Sequence, residues 1–348
     1  MSTVISNAPS IAVIIPLYNG SRYIEQALES VFNQSRAPSE VIVVDDGSTD
    51  DSYAFVEALR ARFAFQLLHK TNSGQGSARN FGVAHATSDL VAYLDQDDIW
   101  YSDHLEQLIQ PFLKSYVQPF GWSYGNMDVI NERGEMHHRC YLDLLKQIPQ
   151  PKISVIDCLR YDMHILPGAS LVSRAAHVKV GGFDERLAGY EDDDYFLRLF
   201  TAGYISAYIN TPVYQWRFHA SSSSYNIRMA RSRMIYARKL FDSYPDQPEM
   251  YRYLTRDTIA PRFLPEMIQC YLQESRAGRW ETAEWALAEC EFLSRHLAKR
   301  PGRRLGRVLR MLGLSSVRKL SRNKLLASRN RWMVRRALRH AGAIGRQP

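Results

Sequence analysis

The sequence predicts an α/β fold: a doubly wound, mostly parallel sheet flanked by helices, with a helical extension behind it. Three observations predict it. Apolar, β-branched runs alternate with helical periodicity over residues 11–94. Acidic clusters stand directly after two of those runs. Beyond the serine run at 221–224 the texture turns helical. Alternation of this kind calls for parallel strands joined by helical crossovers.

Taken in order, Ile11–Pro16 (IAVIIP) is a continuous apolar run, as in a strand buried on both faces. Asn19-Gly20-Ser21 forms a turn able to cap a helix, and Ile24, Ala27, Leu28, Val31 and Phe32 then recur at helical spacing. Val41–Val44 is a second buried strand, Phe65–His69 a weaker third, Ser77–Ala86 a helix and Leu90–Leu94 a further strand. From 121 to 220 the pattern is mixed. Ile165–Ser173 reads as a strand, followed by a short helix and Gly181-Gly182-Phe183. Asp192–Ala202 reads as an amphipathic helix and Ile205–Ile209 as a strand. Over 226–297, Leu, Ala, Met, Trp and Tyr recur every three or four residues, as in packed helices.

Composition narrows the function classes. Apolar residues at 45 % and charged residues at 23 % describe a folded protein. The cysteines Cys140, Cys158, Cys270 and Cys290 form no C-x-x-C pair and no zinc-finger spacing with histidine, so free thiols are expected. No apolar stretch approaches the ~20 residues needed to span a bilayer. The N-terminal MSTVISNAPS lacks the basic and apolar regions of a secretory signal, which predicts a cytoplasmic protein. The net charge of +8 is unevenly placed: residues 299–348 hold 16 Lys/Arg and no Asp or Glu, leaving 28 basic and 36 acidic residues in the first 298.

Five motifs carry chemistry. Open α/β sheets bind ligands at the carboxyl ends of their strands, where the first two acidic clusters stand. Asp95-Gln96-Asp97-Asp98 places three carboxylates within four residues. Their repulsion is costly unless a cation offsets it, and hard divalent ions prefer oxygen ligands. By itself the run fits a capped, solvated turn equally well. Asp45-Asp46-Gly47-Ser48 ends the second strand, where a carboxylate can accept bonds from a base or ribose. Asn72 to Asn80 (NSGQGSARN) is a glycine-bearing loop opening a helix, which favours anions, and Arg79 adds a fork of donors. Glu191-Asp192-Asp193-Asp194 opens another helix; four acids exceed what capping needs. Asp194 can pair with Arg198 at i, i+4, which leaves Asp192 as the candidate general base. Last comes Gln215-Trp216-Arg217-Phe218-His219, whose histidine suits a metal or phosphate.

In this order the motifs resemble the family 2 glycosyltransferases of GT-A, Rossmann-like fold. The matching strings are IPLYNG at 15–20, VVDDGSTDDS at 43–52, NSGQGSARNFG at 72–82, YLDQDD at 93–98, GGFDE at 181–185, YEDDDYFLRL at 190–199 and WRFH at 216–219. The resemblance implies an inverting transfer of a sugar from a nucleoside diphosphate donor to an acceptor hydroxyl, with Mn2+ or Mg2+ as cofactor. It implies that Pro16 and Tyr18 line the base pocket, that Asp46 contacts base or ribose beside Asp45, and that Arg79 lies near the base or diphosphate. Asp95 and Asp97 would form the D-x-D pair. Asp97 or its neighbour Asp98 would hold the metal with His219, and Asp192 would be the catalytic base. Asp193 departs from the usual aromatic or apolar residue and could alter acceptor contacts or raise the Asp192 pKa. UDP is the expected nucleotide, and a cell-surface polysaccharide or lipid-linked glycan the expected acceptor. A metal-dependent nucleotidyltransferase is the enzymatic rival, but IPLYNG lacks its glycine-rich signature and lysine; a non-catalytic nucleotide- or glycan-binding module is the other.

The resulting organisation is a nucleotide-sugar-binding and catalytic domain over 1–220, a helical extension over 221–298 and a basic amphipathic tail over 299–348. The tail mixes Leu, Val and Met with Arg and Lys, a pattern suited to the anionic inner face of a plasma membrane rather than to nucleic acid.

Overall fold

A computed structural model describes residues 8–146, 148–219 and 227–298. The chain forms two compact units. The first runs through Val155 and resumes at Met163, carrying all nine strands found among the described residues. The second combines Ile156–Asp162 with the helices that start at Ile227. The 299–348 tail and its predicted membrane face lie outside the described residues.

The first unit opens with β1 (Ile11–Leu17), α1 (Ile24–Phe32), β2 (Glu40–Asp45), α2 (Ser52–Leu59), β3 (Gln66–His69), α3 (Gln75–His85) and β4 (Leu90–Tyr93). It continues with β5 (Ile99–Trp100), α4 (His104–Ile109), β6 (Phe120–Ile130) and β7 (Met136–His138). Beyond α5 (Val155–Arg160) come β8 (Ser170–Ser173), α6 (Arg174–Val180), α7 (Glu191–Thr201) and β9 (Ile205–Arg217). The strands form one sheet in the order β3-β2-β1-β4-β8-β6-β9-β5, with β7 beside β6. Strands β1 to β4 run parallel; β8 is reversed between β4 and β6, and β9 runs parallel to β6. Six of the nine strands therefore point one way, with β5, β7 and β8 opposed.

That shared direction has a direct consequence for the site. The last residues of β1, β2, β3, β4, β6 and β9 all emerge on one edge of the sheet, with Leu17 opposite Asp45, Asp45 opposite His69 and Ile130 opposite Arg217. The floor beneath that edge is rigid because β1 is buried at every position. Helix α3 lies against it closely: a Cβ at Gly82 would meet Ile14 Cγ2 at 2.5 Å, so any larger residue would lift the helix off the sheet.

The structure corrects two strand expectations and adds a long strand where the sequence pattern is mixed. Ile165–Ser173 is strand only over β8, because Pro167 lacks an N–H for the ladder and starts a 3₁₀ turn over Pro167–Ala169. The expected strand at Ile205–Ile209 runs on to Arg217. Asn210-Thr211-Pro212 looks like a stop signal, yet the irregular register where Pro212 faces Asn126 absorbs the proline. Finally, β6 is buried along nearly its whole length despite Gly121, Ser123, Gly125, Asn126 and Asp128. Its polar groups are bonded inside: Ser123 Oγ donates to the Leu108 carbonyl at 2.5 Å, and Asp128 accepts from Tyr101 Oη at 2.6 Å.

The second unit is helical, with α8 (Ile227–Ser243), α9 (Ala260–Arg276) and α10 (Trp280–Arg295). Within it Arg262 pairs with Asp162 at 2.7 Å and donates to the Cys158 carbonyl at 3.1 Å, tying α9 to the Ile156–Asp162 segment. None of the four cysteines is in a disulfide. Among the described residues no helix is long and apolar enough to cross a membrane.

Candidate active site

At the β1 end, Pro16 is buried within the strand, whereas the Tyr18 ring is 44 % exposed. Of the two residues expected to line a base pocket, Tyr18 alone presents surface. Gln96 from the acidic turn clasps its backbone, accepting from the Tyr18 N–H at 2.8 Å and donating to its carbonyl at 3.1 Å. The β1 and β4 ends are thereby joined.

The two aspartates ending β2 do different jobs. Asp45 is fully buried, accepting from the Ser48 N–H at 3.2 Å and meeting His69 Nδ1 at 2.7 Å. Asp46 is 3 % exposed and organises the glycine-bearing loop. It takes bonds from Lys70 Nζ at 2.8 Å and from the N–H groups of Ser73 at 3.0 Å and Gly74 at 2.7 Å. Gly74 precedes α3 with φ of 96°, a backbone state that disfavours side chains. The expected contact of Asp46 with base or ribose thus meets a carboxylate already engaged in shaping this loop.

The acidic turn after β4 divides similarly. Asp98 is buried, accepting from the Tyr214 hydroxyl and from the Arg217 N–H at 2.6 Å. Burial, then the charges of Asp97 and Asp95, push its pKa well above the carboxylate range. Of the two carboxylates expected as metal ligand, Asp98 is thus the one bonded inward. Asp97 is partly exposed and lies 2.7 Å from His219 Nε2. Its pKa is raised by burial and by Asp95, with His219 opposing the shift. Asp95 accepts on Oδ1 from Arg79 at 2.6 Å and Gln75 at 2.7 Å.

Arg79 is the hub of the site. Its guanidinium, 2 % exposed, bonds Asp95 and also Glu191 at 3.1 Å, and it lies 5.2 Å from the centre of the Phe183 ring. Burial works against its charge, but Asp95 and Glu191 outweigh it and hold the pKa above the usual arginine value. Two acidic motifs separated by 96 positions (Asp95 and Glu191) thus converge on one cation. The position anticipated near base or diphosphate is a bridge between carboxylates.

Tyr190, in the left-handed conformation, turns the chain into α7. In the first turn Glu191 faces Arg79, Asp193 accepts from the Met163 N–H at 2.5 Å, and Asp194 pairs with Arg198 at 2.8 Å. The Asp194 pairing follows the i, i+4 expectation. Asp193 is buried, so instead of reaching an acceptor it anchors the 163 segment. Asp192 is partly exposed and accepts from the Asp193 N–H at 2.8 Å. Burial, then Glu191 and Asp193, raise its pKa well above the carboxylate range, while Arg79 acts in the opposite sense.

Sequence reasoning passed over Glu191, Lys70, Gln75, Gln96 and Arg217. Lys70 precedes the glycine loop, Gln75 lies within it, Gln96 sits inside the acidic turn, and Glu191 and Arg217 stand within named motifs, so membership of or proximity to a motif was their signal.

The profile described as Glycosyl transferase family 2 matches residues 12–178. An uncharacterized glycosyltransferase of Rickettsia conorii is 30 % identical over 218 residues, covering 62 % of this chain and 35 % of that protein. One from Rickettsia felis is 29 % identical over 220 residues, covering 63 % and 36 %. The chain spans about a third of the length of these relatives. Among solved structures, S. aureus TarS 1–349 in complex with UDP-GlcNAc superposes with a TM-score of 0.63 at 18 % identity, covering 95 % of this chain and 92 % of that one. The mannosyltransferase PcManGT from Pyrobaculum calidifontis, in complex with GDP-Man and Mn2+, gives 0.55 at 20 % identity, covering 97 % and 87 %. At such identities the structural likeness speaks for the fold alone. The profile over residues 12–178, the sequence relatives and the GT-A-like architecture agree in pointing to glycosyl transferase family 2.

Proposed function

We propose that the first unit moves a sugar from a nucleoside diphosphate sugar to an acceptor hydroxyl with inversion, using Asp192 as general base. The observation that carries this reading is the Arg79 bridge. By bonding Asp95 at 2.6 Å and Glu191 at 3.1 Å, it draws the acidic turn and the first turn of α7 to one place. A donor-side carboxylate set and a base are thereby neighbours.

The parts divide the work. Tyr18 offers an exposed ring to the base, and the Asp46-shaped loop leads into the N-terminus of α3, where backbone N–H groups favour phosphate. The complexes of TarS with UDP-GlcNAc and of PcManGT with GDP-Man support a nucleoside diphosphate sugar as donor, and UDP is our first choice.

Among the described residues no three His, Cys, Asp or Glu side chains already form a metal cluster. Asp97 and His219 nevertheless fit Mn2+ or Mg2+, being adjacent at 2.7 Å and partly exposed, because such ions complete their shell with phosphate oxygens and water. Asp97 and His219 would hold the ion, which as a Lewis acid offsets charge growing on the departing diphosphate.

Asp192 takes the acceptor proton. Its raised pKa makes it a stronger base than an ordinary carboxylate, and Glu191 is held by Arg79 and stays out of that role. Attack from the face opposite the diphosphate inverts the anomeric carbon. A cell-surface or lipid-linked glycan is the acceptor class we favour, with the protein peripheral to the inner membrane face. The test is nucleoside diphosphate release across a panel of donors, with and without Mn2+. Asp97→Ala and Asp192→Asn are each expected to lower turnover by about 10²-fold or more. Unchanged turnover in both variants would refute this site.

A further inference from the structure

Arg217 closes β9, and its side chain is the least explained group of the site. The guanidinium is 2 % exposed and pairs with no carboxylate among the described residues. Burying a cation without an anion is costly, so its partners call for a reason. Nε donates to the Asp97 carbonyl at 2.6 Å. Nη1 donates to the carbonyls of Asn131 at 3.3 Å and Glu132 at 3.4 Å, and Nη2 to Gln26 Oε1 at 3.0 Å. The Tyr23 ring centre lies 4.5 Å away, and the Tyr23 hydroxyl donates to the same Glu132 carbonyl at 3.2 Å.

The neighbouring bonds complete the pattern. The Arg217 amide donates to Asp98 at 2.6 Å, and two residues on His219 reaches the Asp97 carboxylate at 2.7 Å. Residues 217–219 therefore hold the acidic turn at three points: the Asp97 carbonyl, the Asp98 carboxylate and the Asp97 carboxylate. A planar guanidinium can reach acceptors on α1, on the turn between β6 and β7 and on the acidic turn together; a lysine ammonium lacks that fork.

We infer that Arg217 is a positioning residue for the donor site: it fixes the Asp97 backbone and sets a positive charge beside the acidic turn, so that Asp97 and His219 are preset for a divalent ion and a diphosphate. The inference rests on the donor-site reading above. It extends to Arg217 the general rule that groups supporting a metal's ligands matter nearly as much as the ligands.

The test is isothermal titration of UDP into the full chain with and without Mn2+, on wild type, Arg217→Gln and Arg217→Lys. Each is measured well below its own melting temperature. The readout is the gain in UDP affinity that Mn2+ confers. That gain is expected to fall about tenfold in Arg217→Gln and roughly threefold in Arg217→Lys, where charge survives but the fork does not. A folded Arg217→Gln with an undiminished gain, even at a lower melting temperature, makes the residue a structural clasp and overturns the inference. Should Arg217→Gln fail to fold, Gln26→Leu decides: it strips one acceptor from the guanidinium, and a gain equal to wild type overturns the inference. Wild type that binds UDP no better with Mn2+ than without removes the donor-site reading itself, and the role of Arg217 with it.

Discussion

The turn at 95–98 and the first turn of α7 at 191–194 look alike as sequence, each a run of acids within four residues. The structure distributes their carboxylates by geometry. After β4, a tight turn sends Asp98 inward to Tyr214 and Arg217, Asp95 toward Arg79 and Asp97 toward His219. At the start of α7, the helical rotation between successive residues sends Glu191 to Arg79, Asp193 to the Met163 amide and Asp194 to Arg198. In the helix Asp192 is the one carboxylate of the four that is not buried, whereas in the turn Asp95 and Asp97 are both partly exposed and differ in partner, Arg79 for Asp95 and His219 for Asp97. Two runs of similar acid density are thus divided by backbone geometry, and the proposed roles fall to Asp97 and Asp192.

That division can be broken member by member. The largest effect is expected inside α7. Asp192→Asn should cut turnover by about 10²–10⁴-fold, while Asp194→Asn, two residues away, keeps most turnover and loses stability. Comparing steady-state rates with melting temperatures separates the two. Next comes the turn. Asp98→Asn places an amide against the Tyr214 and Arg217 donors and should cost about 1–3 kcal/mol in denaturant unfolding. Asp97→Asn should leave stability nearly unchanged and lose Mn2+ response. Equal stability losses at 97 and 98 would erase the distinction drawn here.

The smallest effect is a pH shift. Glu191 raises the pKa of Asp192, so Glu191→Gln should lower it. Asp192 works as a base only when ionised, so wild-type kcat/KM falls as pH drops through its raised pKa. In Glu191→Gln that acidic limb should move to lower pH. A limb that stays in place, or moves up, would mean that Asp192 is not the titrating base.

Much of the fold was legible because buried parallel strands leave continuous apolar runs. Ile11–Pro16, Val41–Val44 and Leu90–Leu94 predict β1, β2 and β4 within a residue or so. The long pair β6 and β9 was hidden. Its glycines and polar residues interrupt the apolar signal, and a Cβ at Gly125 would meet Val213 Cγ2 at 2.5 Å, a close approach that composition does not display. The site was legible as a set of motifs at strand ends. Their internal division was not, since Asp98 is held by Tyr214, 116 residues away, and Asp193 by the Met163 amide, 30 residues away. The bridging role of Arg79 needs Glu191, which becomes its neighbour only when α7 folds back onto α3.

The central claim is that these two acidic runs serve a single nucleoside diphosphate site. A crystal structure with UDP and Mn2+, the metal located by its anomalous scattering, tests it most directly. The expected result is one Mn2+ on Asp97 and His219 touching the diphosphate, with Asp192 opening onto the same cleft. Metal held by Asp98 or by the α7 acids, or a diphosphate bound away from both runs, would contradict it.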